Sequence, residues 1–211
     1  MKIAVFGASG MVGSRVAAEA VSRGHEVTGV TRSGGELPAG VRAVQGSAND
    51  LTTAQQLAAD ADVLVAAIGP CRTGGDHQDF LDAVDNLVAA VRGTQTRLFV
   101  VGGAGSLVVN GNRVVDGPDF PAEYKPESLT MLAVLEDLQA TDGLDWFYVR
   151  PPALFGAFNP GEARGTYRVG GDVLLTDENG VSDISGADFA VAVVDEIETP
   201  THRGTPFTVA H

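Results

Sequence analysis

Three glycines spaced by three, in Gly7-Ala8-Ser9-Gly10-Met11-Val12-Gly13, follow directly on the apolar run Ile3 to Phe6. Beyond them Val12, Val16, Ala17, Ala20 and Val21 recur on one face at helical spacing. A chain that turns from strand to helix through such a string can bring several backbone N–H groups up to an anion. Gly7 keeps side-chain bulk out of the turn, the helix start favours negative charge, and Gly13 lets the helix pack closely on the strand. The chemistry predicted is binding of a dinucleotide pyrophosphate. The string alone is weak evidence in a chain with 27 glycines; its place between a strand and an amphipathic helix gives it weight.

The end of the second strand bears on which dinucleotide. A carboxylate there would hold the ribose 2′-hydroxyl of NAD. Here Val27 to Val30 runs into Thr31-Arg32-Ser33, with no carboxylate until Glu36. Arg32 offers a fork of donors to a 2′-phosphate, and Thr31 and Ser33 can add hydroxyl contacts. NADPH is therefore expected as cofactor, with NADH as the alternative. An Arg32 that is simply solvated in its loop is the plain competing reading.

The elements that must position these residues alternate along the chain. Val41–Val44, Val63–Ile68, Leu98–Val101 and Trp146–Val149 read as further strands. Asn49-Asp50 read as caps of a short helix through Leu57, and Phe80, Leu81, Val84, Leu87, Val88 and Val91 as an amphipathic helix. Another helix is expected over Leu129–Leu138, and one opened by the capping box Ser185-Gly186-Ala187-Asp188 carries Phe189, Val193, Val194 and Ile197. Pro206 to Val209 closes the chain as a strand, and short apolar pieces fall at Tyr167–Val169 and Val173–Leu175. Alternating strands and helices with short connections imply an α/β, doubly wound parallel-sheet Rossmann fold. The whole of 1–211 reads as one such domain, with a dinucleotide-binding core over about 1–150 and a small C-terminal substrate lobe over about 151–211. Two irregular stretches, 102–126 and 151–180, fall where ligands sit in this architecture.

The spacing of the glycines resembles that of short-chain dehydrogenases/reductases. Together with VTGVTRSG, VLVAAIGP, LFVVGGAGSL and DWFYVRPPALFG, it is similar to the atypical, NmrA-like branch. Within that branch it looks most like the NADH-flavin reductase and biliverdin-IX-beta reductase-like group, over nearly the whole chain. The resemblance implies that Gly46 and Ser47 lie by the adenine, where the family often has Asp. It places Ala67, Ile68 and Gly69, then Gly102 and Gly103, along the ribose and phosphates, and makes Arg150, Pro151 and Pro152 a cover over the nicotinamide. The family's usual catalytic pair is Tyr-x-x-x-Lys. Here the fourth residue after Tyr124 is Ser128, after Tyr148 Pro152, and after Tyr167 Gly171. The pair is missing, which argues against an alcohol dehydrogenase or a sugar epimerase/dehydratase.

Hydride transfer to a flavin or quinone needs less acid–base help from the protein, because the acceptor carries the electronics. The expected function is reduction of such a planar acceptor by NADPH, with FMN or FAD among the possible substrates. A non-catalytic NADP(H) sensor of NmrA type is the alternative. Ser106, Tyr124 and Lys125 are the candidate catalytic residues; each has a plain reading too, as a turn serine, a surface aromatic and a solvated lysine before a helix.

Composition bounds the partners. The 211 residues include 44% hydrophobic side chains and carry a net charge of −13, with mean hydropathy +0.09, so a core is available. Residues 1–105 hold 10 acidic and 8 basic side chains (−2) and residues 106–211 hold 17 and 6 (−11). Such acidity excludes a nucleic-acid or anionic-membrane binder, and makes a strongly anionic substrate unattractive. Cys71 is the single cysteine, His25, His77, His202 and His211 have no metal-ligand spacing, and no apolar run reaches the ~18 residues of a membrane span. No signal-peptide stretch opens the chain, so a cytoplasmic location is expected. Oligomeric state stays open.

Overall fold

The computed structural model describes residues 1–71 and 76–211. In chain order the elements are β1 (Lys2–Phe6), α1 (Met11–Ser22), β2 (Glu26–Thr31), β3 (Arg42–Gln45), α2 (Leu51–Asp60), β4 (Val63–Ala66) and α3 (Gln78–Val91). They continue with β5 (Arg97–Val101), β6 (Val108–Val109), β7 (Asn112–Arg113), α4 (Lys125–Gln139), β8 (Trp146–Arg150), β9 (Arg168–Gly170), α5 (Gly186–Glu198) and β10 (Thr205–Ala210). Eight strands share one sheet in the order β3-β2-β1-β4-β5-β8-β10-β9. All neighbours pair in parallel except β9, which lies antiparallel to β10. The chain winds outward from β1 to β3, then crosses back to β4 and on to β10. The doubly wound Rossmann architecture is thus present, and its reversal of winding lies between β1 and β4.

Alternate residues of β1 feed two cores. Ile3 and Val5 pack with α1 and α5, while Ala4 and Phe6 pack with α2, α3 and α4. A strand covered on both faces has no polar side to show, which is why the run reads as continuously apolar. The helix ends follow local chemistry. Asp50 caps α2 by accepting from the Thr52 N–H at 3.0 Å, and α1 stops where Gly24 takes φ +83° and donates to the Val21 carbonyl at 2.9 Å.

Several boundaries differ from the sequence reading. β4 ends at Ala66 rather than Ile68, because the chain leaves the sheet at the crevice. α4 begins at Lys125, one turn before Leu129, led in by a 3-10 turn over Ala122–Tyr124 and by Pro126 in its first turn, a place that tolerates proline. The apolar piece 173–175 forms no strand; Val173 makes a single bridge to Val108. β6 and β7 pair as a hairpin inside the irregular 102–126 stretch. The C-terminal elements α5 and β10 complete the main sheet and its helical layer, leaving the stretch between β8 and α5, apart from β9, as the portion outside it.

At the end of the sheet where β5 starts, Arg97 is almost wholly buried, at 4% exposure. Its Nη2 donates to Glu196 Oε1 at 2.7 Å and its Nη1 to the Glu196 carbonyl at 2.9 Å, while its guanidinium lies 4.1 Å from the Phe147 ring centre. Glu196 also accepts from Thr201 Oγ1 at 2.6 Å and from the His202 N–H at 2.9 Å. This network ties the turn between α5 and β10 to the start of β5.

Candidate functional site

At the carboxyl ends of β1 and β4 the glycine string forms a backbone crevice. Gly7 takes φ +80°, and a β-carbon there would stand 2.2 Å from the Ala67 carbonyl oxygen. The Gly10 N–H donates to the Gly7 carbonyl at 2.9 Å, closing the turn. A β-carbon on Gly13 would in turn lie 2.2 Å from the Gly7 oxygen, so α1 sits directly on the turn. The helix starts at Met11, after Gly10 as its N-cap, with no side-chain cap and no acidic residue in its first turn. Among the described residues the N–H groups of Met11, Val12 and Gly13 have no backbone partner and the helix dipole there meets no acidic side chain, the arrangement that receives a diphosphate.

The chain after β2 folds back onto this turn. A β-carbon on Gly35 would be 2.9 Å from that of Ser9, so Arg32 and Ser33 lie in a loop that touches the glycine string. Both are exposed, whereas Thr31 is buried at the strand end. The loop is steadied by Gln45, whose Nε2 donates to the Arg32 carbonyl at 3.2 Å. Gly46 donates its N–H to Thr31 at 3.0 Å, and Ser47 Oγ accepts from the Asn49 N–H at 3.1 Å. Ser47 therefore shapes the turn into α2, and its hydroxyl proton remains available. Ala67, Ile68 and Gly69 leave β4 on the facing side, with Ala67 N–H bonded to Phe6 at 3.0 Å.

Further along the same rim, the chain leaving β5 is governed by Tyr148. A β-carbon on Gly102 would lie 2.0 Å from Tyr148 Cε1, so the glycine is required by the tyrosine ring. The Gly103 N–H donates to Tyr148 Oη at 3.3 Å, and that hydroxyl donates to the Met131 carbonyl in α4 at 2.9 Å. Ser106 closes the following 3-10 turn, with its hydroxyl 3.5 Å from the Gly103 carbonyl. Tyr124 is 45% exposed and Lys125 opens α4, also exposed. Where the missing lysine of a Tyr-x-x-x-Lys pair would stand, Ser128 packs against Gly105; a β-carbon on that glycine would be 2.9 Å from Ser128 Cβ.

Arg150 does not open onto this rim. Its side chain is buried, and its Nη2 donates to the Gly171 carbonyl at 3.0 Å and to Asp172 Oδ1 at 2.9 Å. It fastens the segment that follows β9. Pro151 and Pro152 are buried beside it, at the start of the chain leaving β8.

A family model described as NAD(P)H-binding matches residues 7–200. The chain belongs to the NAD(P)H-binding family. Three solved structures are similar over 100% of it: one from Streptococcus pneumoniae (32% identity, TM-score 0.88, 99% of that chain covered), one from Burkholderia pseudomallei (38%, 0.88, 100%) and one from Bacteroides thetaiotaomicron (31%, 0.85, 96%). They carry putative names: NADH-flavin reductase, exported protein and epimerase, respectively.

In this NAD(P)H-binding chain, two residues that shape the rim escape a reading by motif. Tyr148 sits in an apolar strand, where its hydroxyl must find a partner once buried; that need was the available signal. Asp188, buried at 1% exposure, shows in the sequence only as part of a capping box. Ser185 Oγ does accept from the Asp188 N–H at 3.0 Å. The carboxylate itself accepts from the N–H groups of Arg164 and Gly165, both at 2.8 Å, and bonds His211 Nε2 at 2.8 Å. Burial alone would favour its neutral form, but these bonds and that from Ser185 outweigh it and hold the carboxyl below its usual range. Asp188 so pins the loop after β8 onto α5. A separate groove of about 660 Å³ runs along α2, where Lys2 pairs with Asp60 and Arg42 donates to Thr28. It lies apart from the glycine crevice. Among the described residues no helix is long and apolar enough to cross a membrane.

Proposed function

We propose that the chain is an NADPH-dependent reductase of a planar acceptor such as a flavin or quinone. The observation that carries the reading is the crevice at Gly7, Gly13 and Ala67, where backbone crowding excludes any side chain and the start of α1 is left uncapped. The likeness to the Streptococcus pneumoniae protein, with its NADH-flavin reductase name, supports the acceptor class.

In this reading the turn from Gly7 to Gly13 holds the diphosphate through the N–H groups at the start of α1, those of Gly7, Ala8 and Gly10 being already bonded to the Val30 and Gly7 carbonyls. Arg32, flanked by Thr31 and Ser33, reads the 2′-phosphate, and Gly46-Ser47 bound the adenine. Ala67 to Gly69 line the middle of the cofactor. Gly102-Gly103 and Pro151-Pro152 border the nicotinamide, with Ser106, Tyr124 and Lys125 nearby. When bound, NADPH supplies a hydride, and the acceptor takes up one proton from water or a hydroxyl. The protein's contribution is to stack donor and acceptor in register and exclude competing geometries. Arg150 is left out of the cofactor site, because its side chain is buried and its Nη2 is held by Gly171 and Asp172.

Purified protein mixed with NADPH and either riboflavin or menadione tests the reading. Oxidation of NADPH in step with acceptor reduction is expected. Tight NADPH binding with no oxidation above background would instead favour a dinucleotide sensor, and interconversion of a sugar without NADPH consumption an epimerase.

A further inference from the structure

Tyr148 is buried between the chain leaving β5 and the helix α4, and its ring and hydroxyl both bear on one short piece of backbone, Gly102-Gly103. Its ring fills the space that a side chain on residue 102 would need, at 2.0 Å from an ideal β-carbon. Its hydroxyl accepts the Gly103 N–H at 3.3 Å and donates to the Met131 carbonyl at 2.9 Å. Two more glycines complete the junction. β-Carbons on Gly103 and Gly105 would lie 3.3 Å from Met131 Cβ and 2.9 Å from Ser128 Cβ. Met131 and Ser128 are three residues apart and share one face of α4. The 102–106 turn is thus pressed onto that face at two points and fastened by one hydroxyl.

We infer that Tyr148 is a positioning residue: it fixes the Gly102-Gly103 backbone as a rigid wall that sets the distance between bound nicotinamide and acceptor. The inference rests on the reductase reading above. Tyr148 has no accessible surface and touches neither reactant. Burial pushes its hydroxyl pKa well up, so the group stays protonated and keeps its bond to Met131. Without that hydroxyl, the Gly103 N–H has no partner in the wall, and the peptide is free to rotate toward the cofactor. Small errors in the approach of reacting atoms are costly: about 1 Å can cost a hundredfold in rate. Loss of the hydroxyl alone, with the ring still in place, is expected to cost about tenfold.

Tyr148→Phe keeps the ring against Gly102 and removes only the fastening. Against riboflavin it should lower kcat about tenfold while the NADPH dissociation constant stays within about twofold, a split that marks loss of transition-state geometry rather than of binding. The primary isotope effect with NADPH deuterated at the transferred position should rise, since hydride transfer becomes slower relative to the other steps. Ser128→Val, which crowds Gly105 from the α4 side without touching the hydroxyl or the cofactor residues, should show the same split and serves if Tyr148→Phe fails to fold. Unchanged kcat and isotope effect in both folded variants, with or without a drop in melting temperature, would overturn the inference. Failure of the wild-type protein to reduce riboflavin or menadione would instead defeat the reductase reading itself.

Discussion

Gly13 rests on Gly7 so closely that a β-carbon at position 13 would come within 2.2 Å of the Gly7 carbonyl oxygen. The first helix therefore cannot keep its position over the dinucleotide turn with any other residue there. Gly13→Ala must push α1 outward, at a cost of about 1–3 kcal/mol for the overpacked contact. If that cost falls on the bound geometry, NADPH affinity drops about tenfold to a hundredfold. Titration of NADPH by intrinsic fluorescence, beside a melting curve, measures both.

Arg32 distinguishes the two nicotinamide cofactors. Hydrogen bonds to charged groups contribute about 1.5–3 kcal/mol, so Arg32→Ala should weaken NADPH about 10- to 100-fold. NADH, which lacks the phosphate, should bind within about twofold of the unaltered protein. Equal losses for both cofactors would remove the 2′-phosphate from Arg32.

Tyr124 is exposed and has Ser128, not lysine, four residues on. With a flavin acceptor, Tyr124→Phe should change kcat by less than about threefold, whereas loss of a true general acid costs about a hundredfold or more. Steady-state rates across a pH series decide between them, and Ser106→Ala run alongside tests the neighbouring hydroxyl.

Glu196 ties acid stability to the start of β5. Burial opposes its ionisation, but bonds from Thr201, Arg97 and His202 outweigh that and hold its pKa below the ordinary 4.5. A depressed carboxyl stabilises the fold above its unfolded pKa, and that stability is lost as pH falls below about 4.5 through the folded value. Glu196→Gln should cost about 1.5–3 kcal/mol at neutral pH, because Arg97 loses its closest charged partner and keeps only Asp145, whose Oδ1 lies 3.3 Å from its Nε. It should also flatten the acid limb of melting temperature against pH, as read by calorimetry.

The parts of this fold that are legible in sequence are those decided locally. Ile3 to Phe6 is apolar because both its faces are covered, and Gly7, Gly10 and Gly13 follow from one tight turn. Asp50 and Ser185 cap helices through bonds to residues two or three positions away. The parts that stay hidden depend on contacts across the sheet. Arg150 reads as part of a cover over the nicotinamide, yet its side chain is buried and its Nη2 is held by Gly171 and Asp172. Gly102 looks like a cofactor glycine, yet the Tyr148 ring already requires it, forty-six positions on in the chain. The start of α4 is obscured because Pro126, usually read as a break, is harmless in a first turn.

The antiparallel β9 has a consequence for association. Both margins of the sheet are short, four residues in β3 and three in β9, and each carries an arginine, Arg42 or Arg168. Arg168 further spends its guanidinium on the carbonyls of His211 and Thr176. Brief, charged margins offer little template for another chain to add a strand. Self-assembly by edge-to-edge growth of the sheet is thereby discouraged.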